Sequence, residues 1–401
     1  MLNVLSQILL SVVPFLLVLT LVVTVHELGH FLVARAFGVK IDRFSIGFGK
    51  ALLSRTDKNG IEYRLGWMPL GGYVKFSGDL DASSVPDAAG LAELRQRVIA
   101  EHGPGAEQDY FHFKPIWQRA LVTAAGPLAN FLLAIAVFTI LFSTFGDAVQ
   151  PVRVASVEAG SPAATAGLRP GDMIVSVNGR AVRSGDDVTR VVQLSSGDPV
   201  RLTVDRSGQA LDLAATPVRQ MTRDPMGGRI GVGRIGIGLV SGGAETRVIR
   251  YNPIEAVGAA VRQTGDVLST TVTYLGRIFT GRENGDQLSG PLGIAKASGA
   301  LTDAAVKANP DPGAMAINLL TTLIYFSAIL SIGIGFLNLL PIPILDGGHL
   351  VFYAYEAVAQ RPVAAKVQEL SYRVGLALLA GLMLFATWND LQKYFLGGLA
   401  S

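Results

Sequence analysis

The chain opens with a long uncharged stretch that ends in His26-Glu27-Leu28-Gly29-His30 and runs straight on into Phe31, Leu32 and Val33. A stretch of that length and composition reads as a membrane helix. On a helix, positions i and i+4 share a face, so His26 and His30 can aim ring nitrogens at one metal ion while Glu27 lies close enough to hold a water. The competing reading is a pair of core histidines that match HExxH by chance, a rare event with five His in 401 residues. Ionisable groups inside an apolar span are costly and mark functional sites, which favours the metal reading.

Composition supports a membrane setting. Half the residues are hydrophobic, 16% are charged, and the mean hydropathy is +0.41. Uncharged windows run from Met1 to His26, Ala120 to Gly146, Pro312 to Leu345 and Val374 to Asn389, the last of them short for a bilayer core of about 30 Å. The first window has no basic leading segment and no small-residue cleavage site before HELGH, so it is read as a retained span rather than a secretory signal. A net charge of +3 without any basic block gives no reason to expect a nucleic-acid partner. With no cysteine in the chain, any metal must be held by His and carboxylate groups.

Four spans put both termini on one side. Arg35, Lys40, Arg43 and Lys50 follow the first span, Lys114 and Arg119 precede the second, and Arg361, Lys366 and Arg373 separate the third from the fourth. These flanks are expected in the cytoplasm. Residues 147–311 then face the other side, the periplasm in a Gram-negative inner membrane. The first and third spans run in the same direction, so HELGH and the run NLLPIPILDGGH, Asn338 to His349, end at similar depth. Asp346 is therefore the candidate third ligand, since catalytic zinc commonly takes two His and one carboxylate and keeps a fourth position for water. A turn or helix cap before Gly347 and Gly348 is its ordinary alternative. His349 follows the glycine pair and is read as a neighbour of the site, not a ligand.

HELGH in the first span, GPLAN (Gly126 to Asn130) in the second and NLLPIPILDGG in the third together resemble the site-2 protease family of intramembrane zinc metalloproteases, most closely its bacterial regulator-of-sigma-E protease branch. GFGK at Gly47 to Lys50, PLGGYVKF at Pro69 to Phe76 and SGPLGIAKA at Ser289 to Ala297 extend the likeness over nearly the whole chain. The resemblance implies Zn2+ held by His26, His30 and Asp346, with Glu27 as the base that takes a proton from the attacking water and passes it to the leaving amine. It also sets Asn338, Pro341 and Pro343 along the substrate. Proline there leaves backbone groups free, and exposed backbone at membrane depth is tolerated where it lines a cavity; an ordinary kinked span is the alternative.

Residues 42–76 read as hairpins, with Gly71 and Gly72 between apolar and aromatic positions. In the family this segment resembles a re-entrant element whose edge accepts an extended substrate, the other reading being a surface hairpin. Asp79 to Gln108 is Ala-rich and charged, with a helical stretch at Leu91 to Ala100. From Pro151 to Val240 the chain looks like a PDZ domain: a short helix before Gly167, a turn at Gly171-Asp172, a strand from Met173 to Val177, and, in a permuted arrangement, a carboxylate-binding loop and strand at Gly233 to Leu239 with Ile235, Gly236 and Ile237 as the binding residues. Ligand capture and an empty scaffold both remain open for it. Relatives in the branch carry two tandem PDZ domains, whereas the span here has room for one. Asn252 to Gly281 has apolar residues at helical spacing, with Arg262 and Arg277 outside; it lies either on the membrane surface or against the PDZ-like region.

The expected fold is a membrane α-helical protein of about four transmembrane helices with membrane-associated β-hairpin elements and one inserted PDZ-like α+β domain. Its segments are 1–38 (first span with HExxH), 39–112 (cytoplasmic-side hairpins), 113–146 (second span), 147–244 (PDZ-like, periplasmic), 245–311 (amphipathic helix and connector), 312–350 (third span with LDG) and 351–401 (connector and fourth span). The expected activity is zinc endopeptidase cleavage within transmembrane segments of single-span proteins, anti-sigma factors or signal-peptide remnants, with the lipid membrane and peptide carboxyl termini as further partners. The alternative is a catalytically inactive membrane binding module with a structural metal.

Overall fold

The computed structural model describes residues 2–78, 88–224, 226–241 and 246–396. In chain order the elements are α1 (Leu2–Ala36), β1 (Ile41–Thr56), β2 (Glu62–Phe76), α2 (Ala88–His102), α3 (Ile116–Phe145), β3 (Asp147–Val149), β4 (Val152–Val157), α4 (Pro162–Thr165), β5 (Met173–Val177), β6 (Arg180–Ala181) and α5 (Gly185–Gln193). There follow β7 (Val200–Arg206), β8 (Gln209–Ala215), β9 (Val218–Arg223), β10 (Arg229–Arg234), β11 (Ile237–Ser241), β12 (Arg247–Ile249), α6 (Pro253–Phe279), α7 (Pro291–Lys307), α8 (Pro312–Asn338), α9 (Asp346–Ala359) and α10 (Ala365–Leu391). The start of the Ala-rich stretch at Asp79 and the expected boundary after residue 244 lie outside the described residues.

The chain divides into two compact units, Met1–Phe138 with Ile294–Phe385, and Thr139–Gly293 with Ala386–Ser401. Among the described residues four helices are long and apolar enough to cross a membrane: Leu10–Ala36, Ile116–Phe145, Pro312–Asn338 and Ala365–Tyr394. They leave large apolar side chains uncovered, among them Leu17 at 62%, Leu132 at 65% and Leu384 at 72% exposure. That pattern suits a hydrocarbon surrounding, where such groups need no protein cover.

In the first unit, α1 stops because Gly38 takes a left-handed φ of 64° and the Val39 N–H turns back to the Ala34 carbonyl at 2.9 Å, a helix end that glycine makes at no steric cost. The chain then enters a hairpin that curls on itself. Phe44 pairs with Val74 on one side and with Tyr63 on the other. Glycine permits the crossing: a Cβ on Gly66 would lie 2.4 Å from the Phe48 carbonyl oxygen, and one on Gly72 would lie 2.5 Å from that of Ser45. Phe31, Ala34, Phe44, Ile61, Phe111 and Val122 form the buried cluster that fastens the hairpin to α1 and α3.

Several expectations need correction. The third span ends at Asn338, and LDG opens a separate helix, α9, instead of closing the span. Pro341 and Pro343 fall in the turn between the two, so they break the helix rather than kink it. α10 begins at Ala365, well before the uncharged window at Val374, because its first turns are charged yet helical. The connector before the third span contains a further helix, α7. Arg277 is buried, not outside: its guanidinium is paired with Asp198 and lies 3.9 Å from Glu283. A charge that deep is tolerated only with such partners.

The second unit holds a six-stranded sheet in the order β11-β4-β5-β7-β8, with β6 beside β5. Val154, Ile174, Val188, Leu202, Val204 and Ile235 form its core under α5. Asp172 lies at the turn before β5, buried, and both its oxygens take hydrogen bonds from Arg206, at 2.7 and 2.8 Å. That guanidinium holds the Asp172 carboxyl below the usual carboxylate range. Asn252 and Glu255 cap α6 reciprocally, ahead of Pro253 at the first helical position.

Candidate metal centre

Three helices of the first unit meet through small residues. A Cβ on Gly29 of α1 would lie 2.3 Å from the Ala125 carbonyl oxygen of α3, and one on Gly335 of α8 would lie 3.1 Å from the Asn130 Cβ. Glycine at these contacts lets the backbones approach closely, as interfaces between apolar helices require. HELGH and GPLAN therefore face each other.

At that meeting point His26 Nε2 lies 3.1 Å and His30 Nε2 3.6 Å from Asp346 Oδ2, and the two imidazole nitrogens are 3.2 Å apart. The three ligand atoms fall within 4.8 Å of one another, the one such His and carboxylate grouping among the described residues. Asp346 is the first residue of α9 and not its cap, which is Leu345. Its position depends on the glycines behind it: a Cβ on Gly347 or Gly348 would lie 2.3 Å from the Leu339 or Ile342 carbonyl oxygen, so only a bare backbone can tuck the first turn of α9 beneath the preceding loop.

The surroundings suit a cation. Asp346 Oδ2 is buried without a hydrogen-bond donor, an arrangement that is expensive unless something positive completes it. His30 Nδ1 lies 2.8 Å from the Val122 carbonyl. A carbonyl can only accept, so Nδ1 carries the proton and Nε2 presents its lone pair to the cluster. Gly126 of α3 leaves the room: a Cβ there would lie 2.2 Å from His30 Nε2. Two nitrogens and one carboxylate with no sulfur fit zinc.

Glu27 is half-buried beside the two histidines, and its Oε2 accepts the Val74 N–H of β2 at 3.1 Å. Gly72 is two residues away in β2, and its hypothetical Cβ would lie 3.8 Å from the Glu27 Cγ; Gly71, at φ 140°, lies against Val23 of α1. The residues expected along the substrate are spread more widely. Asn338 is the last residue of α8, half-buried, and no hydrogen bond joins it to the triad; Pro341 is exposed and Pro343 packs on Gly375 of α10. His349 sits in α9 with Nδ1 3.4 Å from the Tyr372 hydroxyl.

In the second unit, Ile235, Gly236 and Ile237 line a cavity of about 230 Å³ together with Val188, Val192 and Leu239. Gly236 turns there with φ 76°, and its carbonyl accepts the Glu158 N–H at 2.8 Å.

Sequence reasoning passed over Gly126 and Asn130 as individual residues. Their i, i+4 spacing in an otherwise apolar span was the available signal, since glycine and a carboxamide on one helix face mark a close, polar helix contact. The carbonyl of Val122 and the N–H of Val74 carry no such signal.

The profile of peptidase family M50 matches residues 14–382. The chain is 46% identical to Metalloprotease MmpA of Caulobacter vibrioides over 395 residues, 98% of each chain. It is 44% identical over 382 residues to the Agrobacterium fabrum protein Atu1380, named as a zinc metalloprotease, covering 95% of this chain and 96% of that one. Among solved structures, the PDZ domain of the SdrC-like protein of Listeria innocua matches with 23% identity and a TM-score of 0.18, over 22% of this chain and 92% of that domain. With a family match across most of its length and relatives covered nearly end to end, the chain belongs to peptidase family M50, the site-2 proteases, and is a membrane zinc metalloprotease.

Proposed function

We propose that His26, His30 and Asp346 hold the zinc, that Glu27 is the general base, and that the enzyme cuts peptide bonds within the transmembrane segments of single-span membrane proteins. The observation that carries this reading is the convergence of the three ligand atoms, beside a carboxylate, at the junction of apolar helices. Anti-sigma factors and signal-peptide remnants are substrates of the expected kind, in regulated intramembrane proteolysis as part of a stress response.

Zinc, when bound, supplies the Lewis acidity that polarises a peptide carbonyl and makes water a ready nucleophile. The rest falls to the chain. Glu27 keeps Oε2 on the Val74 N–H, which fixes the carboxylate, and uses Oε1 to take the proton of the attacking water and return it to the leaving amine. The last segment of β2, Gly72 to Phe76, pairs with β1 on one side and meets Glu27 on the other. Its edge suits an extended substrate strand, and strand addition exposes a peptide bond that a helix would shield. The groove around Ile235, Gly236 and Ile237 takes a carboxyl terminus of the kind left by a first cut outside the membrane. In this reading the protein lies in the inner membrane with its PDZ-like region in the periplasm and its zinc near the cytoplasmic side, following the basic flanks.

Two measurements test the proposal. The chain purified in detergent should carry one zinc and cut a single-span substrate inside its span, and Asp346→Ala should lose both the metal and the cleavage. Stoichiometric zinc in Asp346→Ala would overturn the ligand set. For the groove, a fluorescent peptide with a free carboxyl terminus should bind at least tenfold more tightly than its amidated twin, about 1.4 kcal/mol; equal binding would remove terminus capture.

A further inference from the structure

We infer that Asn130 is the positioning residue that selects the zinc-ready form of His26, by accepting its Nδ1–H through the carboxamide oxygen. The inference rests on the reading of His26 as a ligand and adds a role to a residue of α3 that lies outside the ligand set.

The two histidines are held differently. His30 has its Nδ1 on a backbone carbonyl, which has no proton to give, so in the neutral ring its Nε2 is the bare nitrogen. His26 has its Nδ1 3.2 Å from the Asn130 carboxamide nitrogen. A carboxamide offers a donor at one end and an acceptor at the other, in nearly the same shape. With the nitrogen toward His26, Nδ1 accepts, the ring proton must sit on Nε2, and that proton points at the bare His30 Nε2, 3.2 Å away. Such a ring cannot ligate. This arrangement also leaves Asn130 Oδ1 buried with no partner, on a residue with 0% exposure. A half-turn of the carboxamide exchanges the two ends. Oδ1 then receives the Nδ1–H, its missing partner is supplied, and His26 Nε2 is released with its lone pair toward His30 and Asp346.

The rest of Asn130 is clamped, so the half-turn is the freedom left to it. Ser331 of α8 donates its hydroxyl to the Asn130 carbonyl at 2.8 Å, and Gly335, one turn further on, lies against the Asn130 Cβ. A residue needed only for packing at a fully buried helix contact would be apolar, since a buried carboxamide with an unmet oxygen is destabilising.

The test compares Asn130→Asp with Asn130→Leu in the full chain, purified in detergent, with zinc affinity measured by competition against a chromogenic chelator and folding followed by helicity and melting. Asp can only accept from Nδ1–H and should keep zinc affinity within a few-fold of the parent. Leu fills the same space without an acceptor and should lose roughly 10–100-fold, the usual cost of removing such a supporting contact. A packing role would reverse the order, because Leu suits an apolar contact and a buried carboxylate does not. If Leu disturbs the fold, Asn130→Ala replaces it with the same expected loss. Zinc affinity at parental level in Leu or Ala, or weakening in Asp equal to theirs, would overturn the inference. His26→Ala is run alongside: if it keeps stoichiometric zinc, the ligand assignment itself is wrong, whereas zinc lost in His26→Ala but kept in Asn130→Leu refutes the role of Asn130 alone.

Discussion

Glu27→Gln should leave the zinc content and the melting temperature of the protein unchanged while slowing cleavage by at least about 10²–10⁴-fold, the usual contribution of a positioned general base. The substitution keeps the shape and keeps an oxygen for the Val74 N–H, which Glu27 now accepts at 3.1 Å, so the hairpin stays where it is. What it removes is the capacity to take a proton. Because the three proposed ligands are untouched, the loss falls on turnover and not on metal binding. Single-turnover cleavage of a single-span substrate, with metal content measured on the same sample, separates the two. Parental turnover in the Gln variant would mean that some other group moves the proton.

Gly126→Ala is expected to cost the enzyme its zinc even though it improves the helix. Alanine in place of glycine in a helix interior is worth about 1 kcal/mol of helix stability, so propensity alone predicts a better protein. The site predicts the opposite, since the added Cβ would stand 2.2 Å from His30 Nε2 and 2.8 Å from His26 Cε1, closer than carbon and nitrogen ever pack. Both rings sit on α1, whose backbone is itself pressed against α3 at Gly29, and neither helix can retreat without breaking that contact. The expected result is zinc affinity lower by more than the roughly 10–100-fold typical of lost supporting contacts, with helicity and melting temperature equal or raised. Unchanged zinc affinity would show that the histidines turn away from their present positions when they bind metal.

The parts of this molecule that were legible in its sequence are the local ones. The spacing of His26 and His30 is a property of one helix, and three apolar windows announce long helices, while the fourth was short in sequence because the first turns of its helix are charged. The helix before Gly167 and the strand from Met173 to Val177 are likewise local, since each lies between turn residues that fix its ends. Asp346 became a candidate through an expected topology, in which the first and third spans run in the same direction and end at similar depth. The curl of the hairpin was hidden, for Phe44 must pair with Tyr63 and Val74 at once, and alternation in sequence says nothing about which strand lies on which side. Arg277 misled because its helical position looks solvent-facing until Asp198 and Glu283 arrive from other segments. The break after Asn338 was signalled by Pro341 and Pro343, yet where the chain would resume as a helix depended on Gly347 and Gly348 fitting beneath a loop that the sequence does not draw.

Asp346 and the two histidines stand near opposite ends of the chain, one on α9 and the others on α1. With the ligand set proposed here, the metal is then a cross-link as well as a reagent, in a protein that has no cysteine with which to make one. It closes a loop containing most of the polypeptide, and closing a loop that long removes a large share of the unfolded chain's freedom. Metal supply would then govern lifetime as well as rate: starved of zinc, the cell would hold a protein whose last helices are less firmly tied to its first, more open to the proteases that clear slack chains from the membrane.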